Sequence, residues 1–214
     1  LGARWLLAGD DFRFGARRAG DLVTLKQYAP RLGLEVSAMT SVMQDGERVS
    51  STAVRRALAA GTVEKGVYRV SGEARINGTV ARPGMEVKGG DTVVTGPASQ
   101  IIFVVNRDAF LLRANSRFEV GSAAAAVFRI VTGALLSVYQ PGAPRTLHAR
   151  TATIGIRGTA VYLEAEDART YVCTCYGEAE IASAMDPAER ETVRTQHHEQ
   201  PRYVMGKGAP QMIM

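Results

Sequence analysis

The chain has 214 residues, 46% hydrophobic and 22% charged, so it can bury a core and is not a disordered chain. Its formal charge is +5, with no basic arm or acidic tail, and this gives no support for nucleic-acid binding. Two cysteines, Cys173 and Cys175, exclude a disulfide-stapled scaffold, and no stretch reaches the roughly 18 apolar residues of a membrane-spanning helix. The sequence starts at Leu1 without a signal peptide, so we expect a fragment of a longer product.

The first 61 residues have a mixed α/β pattern. A short buried strand is predicted at 4–8 and a half-buried strand at 34–39, with a turn at 44–47. Between the strands, the helical spacing of Leu22, Leu25, Ala29 and Leu32 predicts a helix that Asp21 caps and Gly33 ends. Ser50, Ser51 and Thr52 cap a second predicted helix that runs to Ala60.

After Tyr68 the helical period gives way to short strands separated by glycine turns. Asn77-Gly78 is the strongest hairpin signal in the chain. The string Gly-Glu-Ala occurs at Gly72 and Gly177, with a looser copy at Gly133, at the unequal spacings of 61 and 44 residues. Unequal spacing argues against a solenoid. Strands are predicted at 70–76, 92–95, 101–105, 110–112, 128–132, 135–139, 159–165, 171–176 and 202–205.

The predicted fold is therefore mainly β, an irregular β-roll or sandwich with a small incomplete α/β segment at the N-terminus. The change of period from helical to alternating places the boundary between Gly61 and Tyr68, with parts at 1–62 and 66–214. The N-terminal part is expected to be the less stable one, because two or three elements of a larger sheet bury little surface.

Residues 9–21, Gly-Asp-Asp-Phe-Arg-Phe-Gly-Ala-Arg-Arg-Ala-Gly-Asp, and 49–55, Val-Ser-Ser-Thr-Ala-Val-Arg, resemble two motifs of the nucleotidyltransferase domain of prokaryotic bifunctional riboflavin kinase/FAD synthetases. The resemblance covers about 60 residues, the C-terminal half of that adenylylating domain. It implies ATP or FMN, with Mg²⁺, as possible ligands. The nucleotide- or flavin-binding residues that it implies are Asp11, Phe12, Arg13, Phe14, Gly15, Arg18, Ser50, Ser51, Thr52 and Arg55.

Residue chemistry agrees with a phosphate site at the second motif. Ser50, Ser51 and Thr52 at a helix N-terminus offer hydroxyls and free N–H groups, and Arg55 lies one turn further on. The alternative is that Ser51 is only an N-cap and Arg55 only a solvated side chain. The family's H-x-G-H element is not in this sequence, whose histidines are His148, His197 and His198. We therefore expect a vestigial site without adenylyl transfer.

From about Val67 the chain resembles the FecR-type domain family. The strings that carry the resemblance are residues 70–78, 90–96, 133–138 and 151–159. It implies a β-rich, non-catalytic module, typically periplasmic and associated with envelope signalling, that binds a protein partner. Arg157 is the candidate contact for an acidic partner; the alternative is that it bonds neighbouring carbonyls at a turn. The FAD synthetase-like part suggests the cytoplasm instead, and the sequence does not decide the compartment.

The other constellation with possible chemistry is Cys173 and Cys175 with His197 and His198. A C-x-C string on a strand turns both thiols to one face, where an imidazole could complete a zinc or copper site or a redox sensor. Strand alternation predicts that both sulfurs share the face of Ala179 and Ile181, which favours buried core cysteines. A strained local disulfide is the third alternative. On the favoured interpretation no cofactor is expected.

Overall fold

A computed structural model describes residues 5–9, 12–16, 19–39, 43–44, 47–48, 65–121, 126–142, 144–196, 198, 200–206 and 210–212. The chain divides into two compact units, Leu1–Ala53 and Val54–Met214. Of the boundary predicted between Gly61 and Tyr68, residues 61–64 lie outside the described part of the chain. The helix predicted from Ser50 to Ala60 lies outside it as well, and both stay predictions.

The first unit contains a strand–helix–strand segment. Its elements are β1 (Trp5–Gly9), β2 (Arg13–Phe14), β3 (Gly20–Asp21), α1 (Leu22–Tyr28), a 3₁₀ turn (Ala29–Leu32), β4 (Glu35–Met39), β5 (Met43–Gln44) and β6 (Glu47–Arg48). Strands β1 and β4 pair in parallel, with Trp5 opposite Glu35. Asp21 caps α1 by accepting a 2.8 Å hydrogen bond from the Thr24 N–H, and Gly33 ends the 3₁₀ turn with φ 64°. The predicted cap and stop are confirmed.

The described part of the second unit consists of strands that form two layers. The elements are β7 (Gly66–Ser71), β8 (Ala74–Ile76), β9 (Thr79–Val80), β10 (Thr92–Thr95), β11 (Gln100–Val105), β12 (Asp108–Leu112), β13 (Arg117–Val120), β14 (Val127–Val138), β15 (Arg145–His148), β16 (Ala152–Ile156), β17 (Ala160–Ala165), β18 (Arg169–Ser183), β19 (Arg190–Thr195), β20 (Arg202–Met205) and β21 (Pro210–Met212). The mainly β fold predicted from the sequence is confirmed.

The first layer has the strand order β7-β11-β12-β14-β17-β18-β20-β21. The second layer has the order β9-β8-β10-β13-β14-β15-β16-β18-β19. Described strand pairs of this unit are antiparallel, apart from β14 with β15. The core lies between the layers and includes Phe103 and Phe110 from the first and Phe118 and Phe128 from the second, with ring centroids 4.8–6.0 Å apart.

Strands β14 and β18 belong to both layers because each turns at a glycine. Residues up to Thr132 pair with β13, whereas Gly133 and the residues after it pair with β17 in the other layer. Gly177 marks the same change in β18. Both glycines have positive φ, 89° and 88°, which other residues rarely adopt. The sequence predicts separate strands at 128–132 and 135–139, and the structure joins them into one bent strand.

The turn glycines also lie against small hydroxyl side chains. A Cβ added to Gly133 would lie 2.6 Å from the Cα of Ser116, and one added to Gly177 would lie 2.8 Å from Oγ1 of Thr159. Gly72, between β7 and β8, has φ 75° and approaches Ser99 in the same way. These three glycines are the ones that open the repeated Gly-Glu-Ala strings. The repeat therefore marks passages between layers, which explains its unequal spacing.

A buried arginine joins the last strands of the second unit. Arg202 in β20 is 2% exposed and donates hydrogen bonds of 2.9 and 2.6 Å to the two carboxylate oxygens of Glu191 in β19. This hydrogen bonding lowers the pKa of the Glu191 carboxyl below its ordinary value. The pair fixes the passage from the second layer to the first, just beside the segment that carries His198.

Candidate functional site

The cysteine site lies on the outward face of the first layer. Cys173 and Cys175 are 5% and 6% exposed. Cys175 packs with Val104, Val138 and Ala160 in a cluster separate from the main core. Ala179 and Ile181 belong to the main core instead. The prediction that both sulfurs share a face with Ala179 and Ile181 is therefore wrong.

A β-bulge accounts for the change of face. Along β17 and β18, Val161 pairs with Thr174 while Ala160 pairs with Tyr176, so Cys175 is an extra residue on β18. An extra residue shifts the alternation of all side chains that follow it. Cys173, before the bulge, lies opposite Tyr162 on the outward side. The bulge therefore lets both cysteines point outward although Ala179 and Ile181 point inward.

His198 completes the group from the segment that follows β19. Its backbone N–H donates to the Cys175 carbonyl over 3.2 Å, and its ring Nδ1 lies 3.2 Å from the Cys173 sulfur. The two sulfurs and an imidazole nitrogen all lie within 4.8 Å of one another. His197, the other predicted imidazole, lies outside the described residues. Arrangements of this kind can hold a metal ion or activate a thiol.

The two thiols have opposite pKa shifts. A hydrogen bond from Cys175, followed by hydrogen bonding and charge from His198, lowers the pKa of Cys173 to about 6 against the effect of burial. The hydrogen bond to Cys173 and burial raise the pKa of Cys175. Burial and the neighbouring Cys173 raise the pKa of Tyr171 to about 12. Cys173 is therefore the group of this site most easily ionised.

A row of three tyrosines, Tyr162, Tyr171 and Tyr203, runs beside the cysteines on the same face. Their successive ring centroids are 6.2 and 5.4 Å apart. The guanidinium of Arg113 lies 6.0 Å above the Tyr162 ring and that of Arg169 lies 4.6 Å above the Tyr203 ring. No sequence pattern predicts this row, because its members lie on three strands whose register is a tertiary property. A one-residue difference in pairing would have separated them.

A groove of about 720 Å³ crosses the outward face of the second layer, and no sequence pattern predicts it either. Its lining includes Arg129, Arg150 and Arg190 together with Glu119 and Glu180. Arg190 and Glu180 are 3.8 Å apart, and Arg129 and Glu119 are 4.0 Å apart. The opposite charges are thus paired across strands, as on an ordinary solvated sheet face.

His148, on the wall of that groove, lies apart from the cysteine site. Its Nδ1 is 3.1 Å from the Thr153 hydroxyl oxygen. Burial, and then the charge of Arg129, lower the pKa of its imidazole. It is therefore a neutral side chain held by a cross-strand hydrogen bond.

Arg157 lies at the corner between β16 and β17, and its side chain is exposed. It forms no hydrogen bond or ion pair with the residues that the structure describes. The alternative in which it bonds the carbonyls of its own turn is therefore not found among those residues. Gly158 has φ 66° and lies against Pro141, so the corner is closely packed beneath the arginine.

The first predicted nucleotide-binding motif is partly described. Phe12 and Phe14 stack with ring centroids 5.7 Å apart, and a Cβ on Gly20 would lie 2.7 Å from the Phe14 ring. Arg13 forms a 3.1 Å ion pair with Asp21, the residue that caps α1. Hydrogen bonding from Thr24, and also from Arg13, lowers the pKa of Asp21. These contacts hold the β2–β3 hairpin, and Gly15 is exposed at its turn with φ 77°.

The remaining residues of that prediction cannot be placed. Those outside the described residues are Asp11, Arg18, Ser50, Ser51, Thr52 and Arg55. The nucleotide site as a whole therefore stays a prediction from the sequence.

Comparison with known proteins shows what the N-terminal part is similar to. Residues 1–53 match the family model described as FAD synthetase. This segment is FAD synthetase-like. It is 44% identical over 59 residues to the bifunctional riboflavin kinase/FMN adenylyltransferase of Escherichia coli K12, covering 28% of this chain and 19% of that protein. The Pseudomonas fluorescens protein of the same name is 42% identical over 80 residues, covering 37% of this chain and 26% of that protein. The chain thus spans about a quarter or less of these relatives.

Comparison with solved structures gives distant neighbours of this chain. Two crystal structures of a putative anti-sigma factor from Parabacteroides distasonis align with TM-scores of 0.47 and identities of 11% and 12%, each covering 57% of both chains. Within the described residues, no helix has the length and apolar character needed to cross a membrane.

Proposed function

We propose that residues 66–214 form a non-catalytic, FecR-like binding and signalling module of the cell envelope, joined to an incomplete nucleotidyltransferase segment. The partner is a protein with an acidic surface, and Arg157 is its main contact. The observation that carries this proposal is that the polar residues of the FecR-like strings stabilise turns and corners, whereas Arg157 is left exposed.

The string at residues 90–96 illustrates this structural use. Asp91 is 7% exposed and accepts hydrogen bonds from the Lys88 N–H over 2.9 Å and the Asn77 side-chain amide over 2.8 Å. Asn77 in turn accepts a 2.9 Å hydrogen bond from the Thr92 N–H. The Thr95 hydroxyl donates to the Arg113 carbonyl and accepts from the Ser116 N–H. These groups are fully occupied by backbone partners and by one another.

In the string at residues 151–159, the threonines at both ends also stabilise the structure. The Thr151 hydroxyl donates to the Val204 carbonyl over 2.8 Å and lies 2.7 Å from the Thr170 hydroxyl. Thr159 is fully buried beneath Gly177. Arg157, between them, is the charged residue of the string and points into solvent. Exposed arginines are favoured in protein interfaces, because one guanidinium can pair with a carboxylate through two hydrogen bonds.

A crosslinking experiment in bacterial cells tests this proposal. A photo-reactive amino acid is placed at Pro141, which is exposed and lies against Gly158 beside Arg157. We expect one adduct with an envelope protein, which Arg157→Glu abolishes by charge repulsion. The matched control is Arg107→Glu, at the exposed turn between β11 and β12, which should leave the adduct unchanged. An adduct that survives Arg157→Glu would contradict the assignment.

The second candidate function is an FMN adenylyltransferase segment that retains nucleotide or flavin binding. The match of residues 1–53 to FAD synthetases favours it. We expect the 214-residue chain to form no detectable FAD from ATP, FMN and Mg²⁺, because the H-x-G-H element that would help to stabilise the phosphates is not in its sequence. Chromatographic detection of FAD measures this directly.

Residual nucleotide binding can be measured separately by calorimetry. Arg55→Ala should abolish it if the second motif still forms a phosphate site, whereas Arg31→Ala, an exposed arginine of the 3₁₀ turn, should not. Production of FAD that depends on Arg55 would overturn the non-catalytic assignment of this segment.

A further inference from the structure

We propose that Cys173, Cys175 and His198 bind a single soft metal ion with a filled d shell, Cu(I) or Zn(II). The site lies on the outward face of the first layer and uses none of the residues assigned above to the protein partner. Two sulfurs and one imidazole nitrogen are the donor set that such ions prefer over carboxylates and water.

The donor atoms already have nearly the spacing of a metal centre. Around a tetrahedral zinc ion, ordinary bond lengths place sulfur and nitrogen ligands about 3.6 Å apart and two sulfurs about 3.8 Å apart. The Cys173 sulfur and the His198 Nδ1 are 3.2 Å apart, and all three donor atoms lie within 4.8 Å of one another. Side-chain rotations that move each donor atom by less than about 1 Å would therefore give the spacing of a metal centre.

Two backbone features, independent of the side chains, aim these donors at one point. The bulge at Cys175 adds a residue to β18, and bulges of this kind redirect a side chain next to functional sites. His198 has φ 54°, a conformation that few residues other than glycine adopt. The hydrogen bond from its N–H to the Cys175 carbonyl holds it there. Unfavourable backbone geometry is therefore found where it brings one imidazole close to two thiols.

The surroundings favour a bound cation in a protected but reachable position. Both sulfurs are almost fully buried, whereas His198 is exposed and gives an ion a path from solvent. Three donors leave one coordination position of a zinc ion open, and the same three can complete a trigonal site for Cu(I).

The test uses the full chain, purified in reducing, oxygen-free buffer and loaded in separate samples with Zn(II) alone or Cu(I) alone. After desalting, elemental analysis should find about one ion per chain in at least one sample. Loading with Co(II) should give the charge-transfer absorption of a cobalt–thiolate bond. Mass spectrometry after alkylation should show that the ion protects both cysteines.

Three variants and one control assign the ligands. His198→Gln changes an exposed side chain and is expected to weaken binding by roughly 100-fold or more, since even the loss of a residue that only orients a ligand typically weakens it 10–100-fold. Cys173→Ser and Cys175→Ser should abolish the cobalt–thiolate absorption. His148→Gln, which removes an imidazole from the other layer, should bind as the unmodified chain does.

Unchanged binding in His198→Gln, or less than about a tenth of an ion per chain under both loading conditions, would overturn the proposal. A disulfide between Cys173 and Cys175 that persists in the reducing buffer would do the same. If a serine variant fails to fold, the His198→Gln titration and the alkylation pattern of the unmodified chain still decide the question. Retention of either Zn(II) or Cu(I) supports the site and identifies its ion.

Discussion

Gly133→Ala is expected to lower the free energy of unfolding of the second unit by about 3–5 kcal/mol. A methyl group there would lie 2.6 Å from the Cα of Ser116, which belongs to the backbone of the adjacent corner and cannot turn away. Positive φ contributes about 1–3 kcal/mol of strain and overpacking contributes about as much again. The added methyl group would also misalign the 2.9 Å hydrogen bond that the Ala134 N–H donates to the Ser116 hydroxyl. Urea denaturation followed by circular dichroism measures the change.

Gly90→Ala is the matched control for this prediction. Gly90 has φ 91°, nearly the same as the 89° of Gly133, but no atom lies within 4 Å of the position that its Cβ would occupy. Gly90→Ala should therefore lower the free energy of unfolding only through backbone strain, by about 1–2 kcal/mol. Equal destabilisation by the two substitutions would show that the close approach of the corners does not matter for stability.

Arg145→Met is expected to destabilise the second unit by about 3–5 kcal/mol, because it leaves a buried carboxylate without its cation. Asp108 in β12 is fully buried, and its Oδ2 accepts a 2.6 Å hydrogen bond from Arg145 Nε in β15. The other carboxylate oxygen accepts a 3.3 Å hydrogen bond from the Gln140 N–H. The ion pair therefore joins strands of the two layers across the connection that follows β14. Thermal or urea denaturation gives the size of the effect.

Arg150→Met provides the comparison, since Arg150 pairs over 3.1 Å with Asp167, whose side chain is 98% exposed. A surface pair of this kind contributes less than about 1 kcal/mol. The double variant Asp108→Asn/Arg145→Met should be more stable than Arg145→Met alone, because the amide needs no counter-charge. A double variant that is less stable than the single one would contradict the role assigned to the buried charge.

Much of the fold could be predicted because its signals are local. Alternating side chains predict many strands of the second unit, but not β13, β15, β16 or β19. An aspartate before a run of helix-forming residues predicts the start of α1 at Asp21. The motif at residues 9–21 also predicts the FAD synthetase-like segment that the family comparison supports. These patterns involve neighbouring residues. Their physical causes act over a few positions: the pleat of a strand alternates its side chains, and a helix end leaves N–H groups unpaired.

The candidate site is different, because it depends on contacts between residues far apart in the chain. Cysteine spacing alone suggested a shared face with Ala179 and Ile181, and the bulge at Cys175 reversed that face. His198 reaches the cysteines only because its segment folds back onto β18. Cys173 lies 25 residues before His198 in the chain.

The sequence by itself determined many of the extended segments, the glycines that interrupt them and the residue types that are available for chemistry. Only the tertiary structure decided that Gly133 and Gly177 turn single strands from one layer to the other, and that one extra residue on β18 turns two thiols outward. The physical reason is register. Because side chains alternate at every residue, the face on which a group lies depends on how distant strands pair, and no local pattern contains that information.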